Sequence, residues 1–345
     1  MAQSKTSQRK KEHLELCMSD QVAFKKSNGF DFYEFEHYAV TEVDISKINL
    51  GTNFFGCKIS LPFLISCMTG GTLEAERINE KLACAAKELN IPIGVGSQRQ
   101  ALEDSSLNST YKVVRKNAGS VPILGNIGAA QVVESKNIEE DFNLIIALVE
   151  ADALVVHLNP LQELLQEEGE ANFSGFLKKL ERVIPKIPVP VMCKEVGSGI
   201  SKRAAKKLLE IGVAGIDVAG AGGTSWAAVE LLRNRTNDKY LSEWGLPTSY
   251  CVRTVTELKK KFDFVLIASG GINSGVEAAK ALALGADITA SARILLKEVT
   301  KNDVDGVIIL LNNWFDTVKK IMYLTGASKL EHLRKNGLKR KEELV

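Results

Sequence analysis

Apolar and polar positions along the chain repeat as one unit from residue 61 onward: a short apolar run, a polar turn, then a stretch with helical spacing. The apolar runs are "LPFLISCM" (61–68), "IPIGVGS" (91–97), "VPILGNIG" (121–128), "ALVVHLN" (153–159), "VPVMCKEV" (189–196), "GIDVAG" (215–220), "FVLIASGG" (264–271) and "DITASA" (287–292). Between them lie amphipathic patterns such as "AERINEKLACAAKEL" (75–89), "SKRAAKKLLEIG" (201–212) and "GVEAAKALALGA" (275–286). Runs that are apolar throughout and alternate with helices indicate parallel strands buried on both faces. Eight such units predict the α/β class and a (β/α)8 TIM barrel. An open doubly wound sheet is the competing architecture, but its G-x-G-x-x-G fingerprint is missing after the first strand. The barrel is expected over 61–330, with 1–60 as an N-terminal extension that contributes to the substrate site. Residues 331–345 read as a solvated C-terminal tail, and "NNWFDTVKKIMYLTGASKLEHL" before its end has the periodicity of a helix that closes the ring.

Composition narrows the function classes without choosing one. The 345 residues suffice for one barrel-sized core, and the 45% hydrophobic and 25% charged content is that of an ordinary globular chain. A formal net charge of +2 argues against a nucleic-acid partner and against a polybasic membrane patch. No apolar stretch approaches the roughly 20 residues that span a bilayer. The basic N-terminus "MAQSKTSQRKKEHLEL" has no apolar segment of a secretory signal. Six scattered cysteines with no C-x-x-C spacing suggest free thiols rather than a disulfide framework or a zinc site. A cytoplasmic protein is expected.

A barrel turns these runs into site geometry, because the chemistry of this fold sits at the C-terminal ends of its strands. Those ends read Met68-Thr69-Gly70-Gly71, Ser97-Gln98-Arg99, Asn126, His157-Asn159-Gln162-Glu163, Lys194-Glu195, Gly220 to Ser225, Ser269-Gly270-Gly271 and Ala290-Ser291-Ala292. Polar and glycine-rich residues thus gather at one pole. "ASGGINSG" and "TASA" follow the seventh and eighth strands, where backbone amides and a helix N-terminus commonly hold a phosphate. Lys194 ends the fifth strand inside an apolar run, so its charge needs a partner. Glu195 is one candidate and the N1–C2=O edge of a flavin ring is the other. Arg99 at the rim, with Arg9, Lys10 and His13 in "RKKEH", supplies positive charge for a second anion.

With "RKKEH", "MTGG", "GSQR", "GNIGA", "HLNPLQE", "KEVGSGIS", "AGGTSW", "SGGI" and "MYLTG" in this order, the chain resembles the type 2, FMN-dependent isopentenyl diphosphate isomerases over nearly its whole length. Cys67 before "MTGG" is a small departure. The resemblance implies interconversion of isopentenyl and dimethylallyl diphosphate by an allylic proton shift. It also implies reduced FMN, NAD(P)H as reductant and Mg2+ on the diphosphate, in a homo-oligomer (tetramer or octamer). Carried over to this chain, the substrate diphosphate falls to Arg9, Lys10, His13, Arg99 and Ser198. His157 and Asn159 line the same pocket, Gln162 lies against the isoprenoid carbons, and Glu163 holds the metal. FMN contacts fall to Met68, Thr69, Gly70, Ser97, Asn126, Lys194, Thr224, Gly270, Gly271, Ala290 and Ser291.

That assignment gives "HLNPLQE" a chemical sense. Alkene-protonating side chains are scarce at these strand ends, which leaves the reduced flavin as acid–base group, held anionic by Lys194. The Gln162 amide is a poor base and is assigned positioning or proton relay. Glu163, one residue on, offers a hard oxygen to Mg2+. Pro160 turns the chain out of the strand. A rival enzyme on the same scaffold is an FMN-dependent 2-hydroxy-acid oxidase or dehydrogenase. It needs a histidine and an arginine after the sixth strand, where "DVAGAGGTSW" has neither. A third reading is a flavin-binding barrel without catalysis.

Overall fold

A computed structural model describes residues 5–335 and 337–344. Eight parallel strands close into a ring in chain order: β1 (Phe63–Ile65), β2 (Ile93–Gly94), β3 (Ile123–Gly128), β4 (Ala153–Leu158), β5 (Val191–Glu195), β6 (Gly215–Asp217), β7 (Val265–Ala268) and β8 (Ile288–Ser291). β8 pairs with β1 through Thr289–Phe63, Ala290–Leu64 and Ser291–Ile65, so no edge is left open. The amphipathic patterns form the outer helices, among them Leu73–Leu89, Lys202–Glu210 and Gly275–Ala283.

Strand alternation divides the barrel into two environments. One set of side chains, including Ile65, Ile123, Leu154, Cys193, Ile216 and Leu266, faces outward into the main core under the helices. The other set fills the lumen, with Leu64, Leu124, Val155, Met192, Ile267 and Ile288 forming a dry lower part. One register step higher, the lumen turns polar: Ser66, Asn126, His157, Lys194, Asp217 and Ser269. The switch from apolar to polar along the lumen creates the floor of a site at the C-terminal pole.

The N-terminal extension works at both poles. An antiparallel hairpin, Thr52–Phe54 with Cys57–Ile59, inserts Phe54 and Ile59 into the lower lumen cluster and seals that end. Helix α1 (Lys5–Met18) lies at the opposite, polar pole, where Arg9, Lys10, His13, Leu14 and Cys17 line the cavity. Phe24 N donates to Gly223 O and Ser225 N to Val22 O, which stitches the extension to the loop after β6.

Every strand is shorter than its apolar run, and in β2 and β6 the backbone shows why. Past Gly94 the segment still bonds both neighbours, Val95 N to Leu124 O and Gly96 N to Thr69 O, but no longer as a regular ladder. After Asp217 the chain leaves β6 at Ala219, whose φ of +36° no strand accommodates. The C-terminal tail also departs from expectation: Leu338–Arg340 pairs antiparallel with Tyr33–Phe35. That strand consumes backbone groups that a solvated tail would leave to water. Among the described residues no helix is long and apolar enough to cross a membrane.

Candidate functional site

Above the polar layer lies a cavity of about 490 Å³. Its wall includes Arg9, Lys10, His13, Met68, Thr69, Gly70, Ser97, Arg99, Asn126, His157, Asn159, Gln162, Glu163, Lys194, Thr224, Gly270, Gly271 and Ser291. Residues from all three roles read in the sequence therefore share one space.

Two do not. Ser198 is off the wall, because the loop after β5 curls around the Glu195 carboxylate and binds it with the amides of Val196, Gly197, Ser198 and Gly199. Ala290 has its Cβ in the lower lumen cluster, below the cavity, while its neighbour Ser291 reaches the wall.

The same loop decides the partner of Lys194. Successive strand residues point to opposite faces, so Lys194 enters the lumen and the Glu195 carboxylate leaves it. Lys194 Nζ donates at 2.6 Å to the main-chain oxygen of Glu195, not to its carboxylate. Burial pushes Glu195 up to about 7 against the pull of those amides and of Lys194. The remaining Nζ donors of Lys194 are left for the cavity.

At one end of the cavity the loops after β6, β7 and β8 meet. Gly271 has a φ of +74°, and a Cβ there would lie 2.3 Å from Gly222 O. A Cβ on Gly223 would lie 2.7 Å from Gly271 N. The glycines are thus required first by loop-on-loop packing, and that packing lays bare backbone against the cavity. The helical segment α2 (Arg293–Leu324), which breaks at Asp303 with a φ of +60°, begins here; Ala292 offers no side-chain cap, and Ala292, Arg293 and Ile294 line the wall. An uncapped helix start beside Arg293 and Lys297 suits a phosphate. Arg293 also donates from Nε to Cys17 O and from Nη2 to Ser19 O, tying the end of α1 to this corner.

The flank toward β1–β4 is a network of neutral groups. Asn126 Nδ2 donates to Val95 O, and Asn126 Oδ1 lies 2.8 Å from His157 Nδ1. That carbonyl accepts, so Nδ1 carries the proton and His157 Nε2 is left as an acceptor. Burial first, then the like charges of Lys194 and Lys10, bring His157 down to about 3, so it stands neutral. Lys10 is tied inward: its Nζ donates to Gly70 O at 2.8 Å, Ser97 O at 3.1 Å and Tyr111 Oη at 2.7 Å. All three donors are used, so Lys10 clips α1 to the loops after β1 and β2 rather than pointing at an anion.

Arg9 and Arg99 bring positive charge to the cavity wall. Burial lowers the proton affinity of Arg9, and the like charge of Arg99 lowers it further. Arg99 also binds Glu103 through Nε at 2.8 Å. Two guanidinium groups held close enough to repel each other mark the place for a multiply charged anion.

The segment from "HLNPLQE" lines the same cavity. Pro160 opens a short helix, Pro160–Leu165, rather than a loop. Gln162 is pinned at both ends: its Oε1 accepts from Asn159 Nδ2 at 3.2 Å and its Nε2 donates to Glu230 Oε1 at 3.0 Å. Glu163 Oε1 accepts from Asn159 at 2.9 Å and Oε2 from Glu170 N at 2.8 Å. Asn159 Oδ1 is buried and meets no donor among the described residues.

Glu230, from the helix Trp226–Arg233, was not read from the sequence. It is fully buried, accepts from Arg233 Nη1 at 2.6 Å, and has His13 Nε2 at 2.9 Å. Burial pushes its pKa up, but His13, Gln162 and Arg233 outweigh that and hold it below the usual carboxylate range. Its sequence signal is faint, one acid in "WAAVELLR" three residues before an arginine. Asp217 was also missed, although an acid inside the apolar run "GIDVAG" calls for a partner by the logic applied to Lys194.

Comparison with known proteins follows the same lines. The family described as FMN-dependent dehydrogenase matches residues 2–114 and 149–340. A protein named isopentenyl-diphosphate delta-isomerase from Pelodictyon phaeoclathratiforme is 44% identical, covering 98% of this chain and 98% of that one. Its namesake from a Nostoc strain is 40% identical, covering 97% and 96%. Among solved structures, an arginine-to-lysine mutant of flavocytochrome b2 aligns at a TM-score of 0.69 with 18% identity, covering 95% of this chain and 82% of that one. A mandelate oxidase mutant with benzoyl-formic acid aligns at 0.67 with 16% identity, covering 97% of each. At those identities the two structures show the shared barrel fold alone.

Proposed function

This chain belongs to the isopentenyl-diphosphate delta-isomerases within the FMN-dependent dehydrogenase family, and from that premise we propose how its residues divide the work. The reaction interconverts isopentenyl and dimethylallyl diphosphate: one proton is added at a terminal methylene and another is removed two carbons away, with no net redox change. The observation that carries the reading is that one cavity wall holds two guanidinium groups, a doubly pinned amide on a buried carboxylate, and a lumen lysine.

Arg9 and Arg99 take the diphosphate. Glu163 and the orphaned Asn159 Oδ1 are the oxygen ligands offered to Mg2+. Mg2+ draws most of its ligands from phosphate and water, so few protein oxygens are needed. Gln162, unable to rotate between Asn159 and Glu230, fixes the carbon skeleton. Glu230 keeps its charge under burial, so it holds the Gln162 amide in place by a charged hydrogen bond.

The residues present fit FMN: a bare-backbone corner with an uncapped helix start for the phosphate, and Lys194 at the lumen floor for the N1–C2=O edge. When bound and reduced by NAD(P)H, the flavin supplies an acid–base nitrogen beside the substrate. Lys194 supplies the positive charge that favours an anionic ring. His157, neutral, offers Nε2 as an acceptor. Cytoplasmic location, read from the scattered cysteines, and homo-oligomeric assembly, implied by the resemblance, belong to the same proposal.

The loop after β6 carries no histidine or arginine between Val218 and Ser225, which disfavours the hydroxy-acid oxidase. The test is incubation with isopentenyl diphosphate, FMN, Mg2+ and NADPH or NADH, followed by product analysis. Dimethylallyl diphosphate is expected. Oxidation of lactate-like acids without isomerisation would overturn the assignment.

A further inference from the structure

The polar layer of the lumen holds one carboxylate. Asp217 is the register partner of Lys194 across β5 and β6, so both side chains enter the lumen at one level. It has no solvent exposure. Its Oδ1 accepts from Ser269 Oγ at 2.6 Å and from Ala219 N at 3.3 Å. Its Oδ2 is buried and meets no donor among the described residues. A buried acid with half its acceptor capacity unused, one strand from a buried lysine, is an electrostatic element and not only a turn support. Lys194 and Asp217 each act on Cys67 with opposite sign, Lys194 lowering and Asp217 raising its thiol, so the three groups share one field.

We propose that Asp217 is the counter-charge of Lys194, a positioning residue that sets how much positive charge reaches the flavin edge. The inference rests on the FMN reading above. Lys194 alone would present a full unit charge to the N1–C2=O edge. Lys194 lines the cavity and Asp217 does not, so the pair presents a dipole with its positive end toward the cavity. The arrangement stabilises an anionic ring while limiting how strongly it does so.

Asp217→Asn separates this role from support of the turn. The amide oxygen still accepts from Ser269 and Ala219, while the negative charge is gone. In the FMN-loaded variant, sulfite, which adds to oxidised flavin and leaves negative charge on the ring, should bind at least about tenfold more tightly. One unit charge acting over roughly 10 Å at an effective dielectric of about 20 has that effect. The two-electron midpoint potential should rise by about 30 mV, the equivalent of tenfold. In a Lys194→Met background burial is no longer opposed by that cation and holds Asp217 neutral, so the substitution should change neither reading. Ser269→Ala, which weakens the hold on Oδ1 but keeps the acid, should move both in the same direction by a smaller factor, and it serves if Asp217→Asn does not fold. Unchanged sulfite affinity and potential in a folded, yellow variant would overturn the inference. Failure of the unaltered chain to bind FMN at all would overturn the underlying reading instead.

Discussion

Glu230→Gln tests whether the buried acid behind Gln162 works in the reaction. In the native site Glu230 accepts from Gln162 Nε2 at 3.0 Å and from Arg233 Nη1 at 2.6 Å, with His13 Nε2 at 2.9 Å. Glutamine fills the same volume but brings one oxygen and sets an NH2 group against at least one donor. A hydrogen bond to a charged group contributes about 1.5–3 kcal/mol. Arg233 keeps Glu12 at 3.1 Å and Glu168 at 3.6 Å, so it is not stranded. The stability loss should therefore stay near 2 kcal/mol, below the roughly 3–5 kcal/mol of an orphaned buried charge. Gln162 in turn loses the anion that fixes its amide. If the pair orients or relays a proton, kcat should fall at least about 100-fold, the lower end for acid–base groups. KM and the flavin content should change little, because neither the guanidinium pair nor the glycine corner is touched. The assay is steady-state isomerisation under anaerobic, reduced conditions with flavin occupancy read from absorbance. Gln162→Ala should give a similar loss, and the double variant little more, as for residues acting as a unit. A kcat for Glu230→Gln within about fivefold of native, with FMN bound, would reduce Glu230 to a structural anchor.

Gly271→Ala places a methyl 2.3 Å from Gly222 O at a φ of +74°, so the phosphate corner should open and the protein should purify pale; full flavin occupancy would contradict the corner assignment. Glu163→Ala should shift the Mg2+ titration of activity to higher concentration by about tenfold or more, and an unchanged titration would remove Glu163 from the metal. Lys10 gives a pH signature: burial, then the charge of Arg9, lower it from 10.5 to about 7. The unfolded chain then holds more protons than the folded one across that window. This contribution to stability should grow as pH rises from about 7 toward 10 and be absent below it. Denaturant titrations at several pH values should show that rise flattened in Lys10→Met, and an unaltered pH dependence would show that Lys10 does not titrate there.

The alternation of eight apolar runs with amphipathic helices decided the barrel without help from tertiary information. Strands buried on both faces and helices buried on one leave that periodicity in any sequence that folds this way. The pole of the site followed, because glycines, Lys194, Arg99 and "HLNPLQE" all stand at strand ends. Strand parity, which sets Lys194 and Glu195 on opposite faces of β5, would have excluded the Glu195 carboxylate, yet it stood as a candidate partner until the structure turned it into its own loop.

What only the folded chain decided concerns groups whose meaning depends on a partner far away in sequence. Lys10 reads as an anion ligand until Gly70, Ser97 and Tyr111 take its three donors. Ser198 reads as a polar rim residue until its amide is drawn to Glu195. Glu230 reads as one more acid on a helix until Gln162 and His13 close on it from two other elements. Periodicity is a property of neighbours a few residues apart, so it records burial. A hydrogen bond or a shared charge spans tens to hundreds of residues and leaves no trace until packing sets the distance.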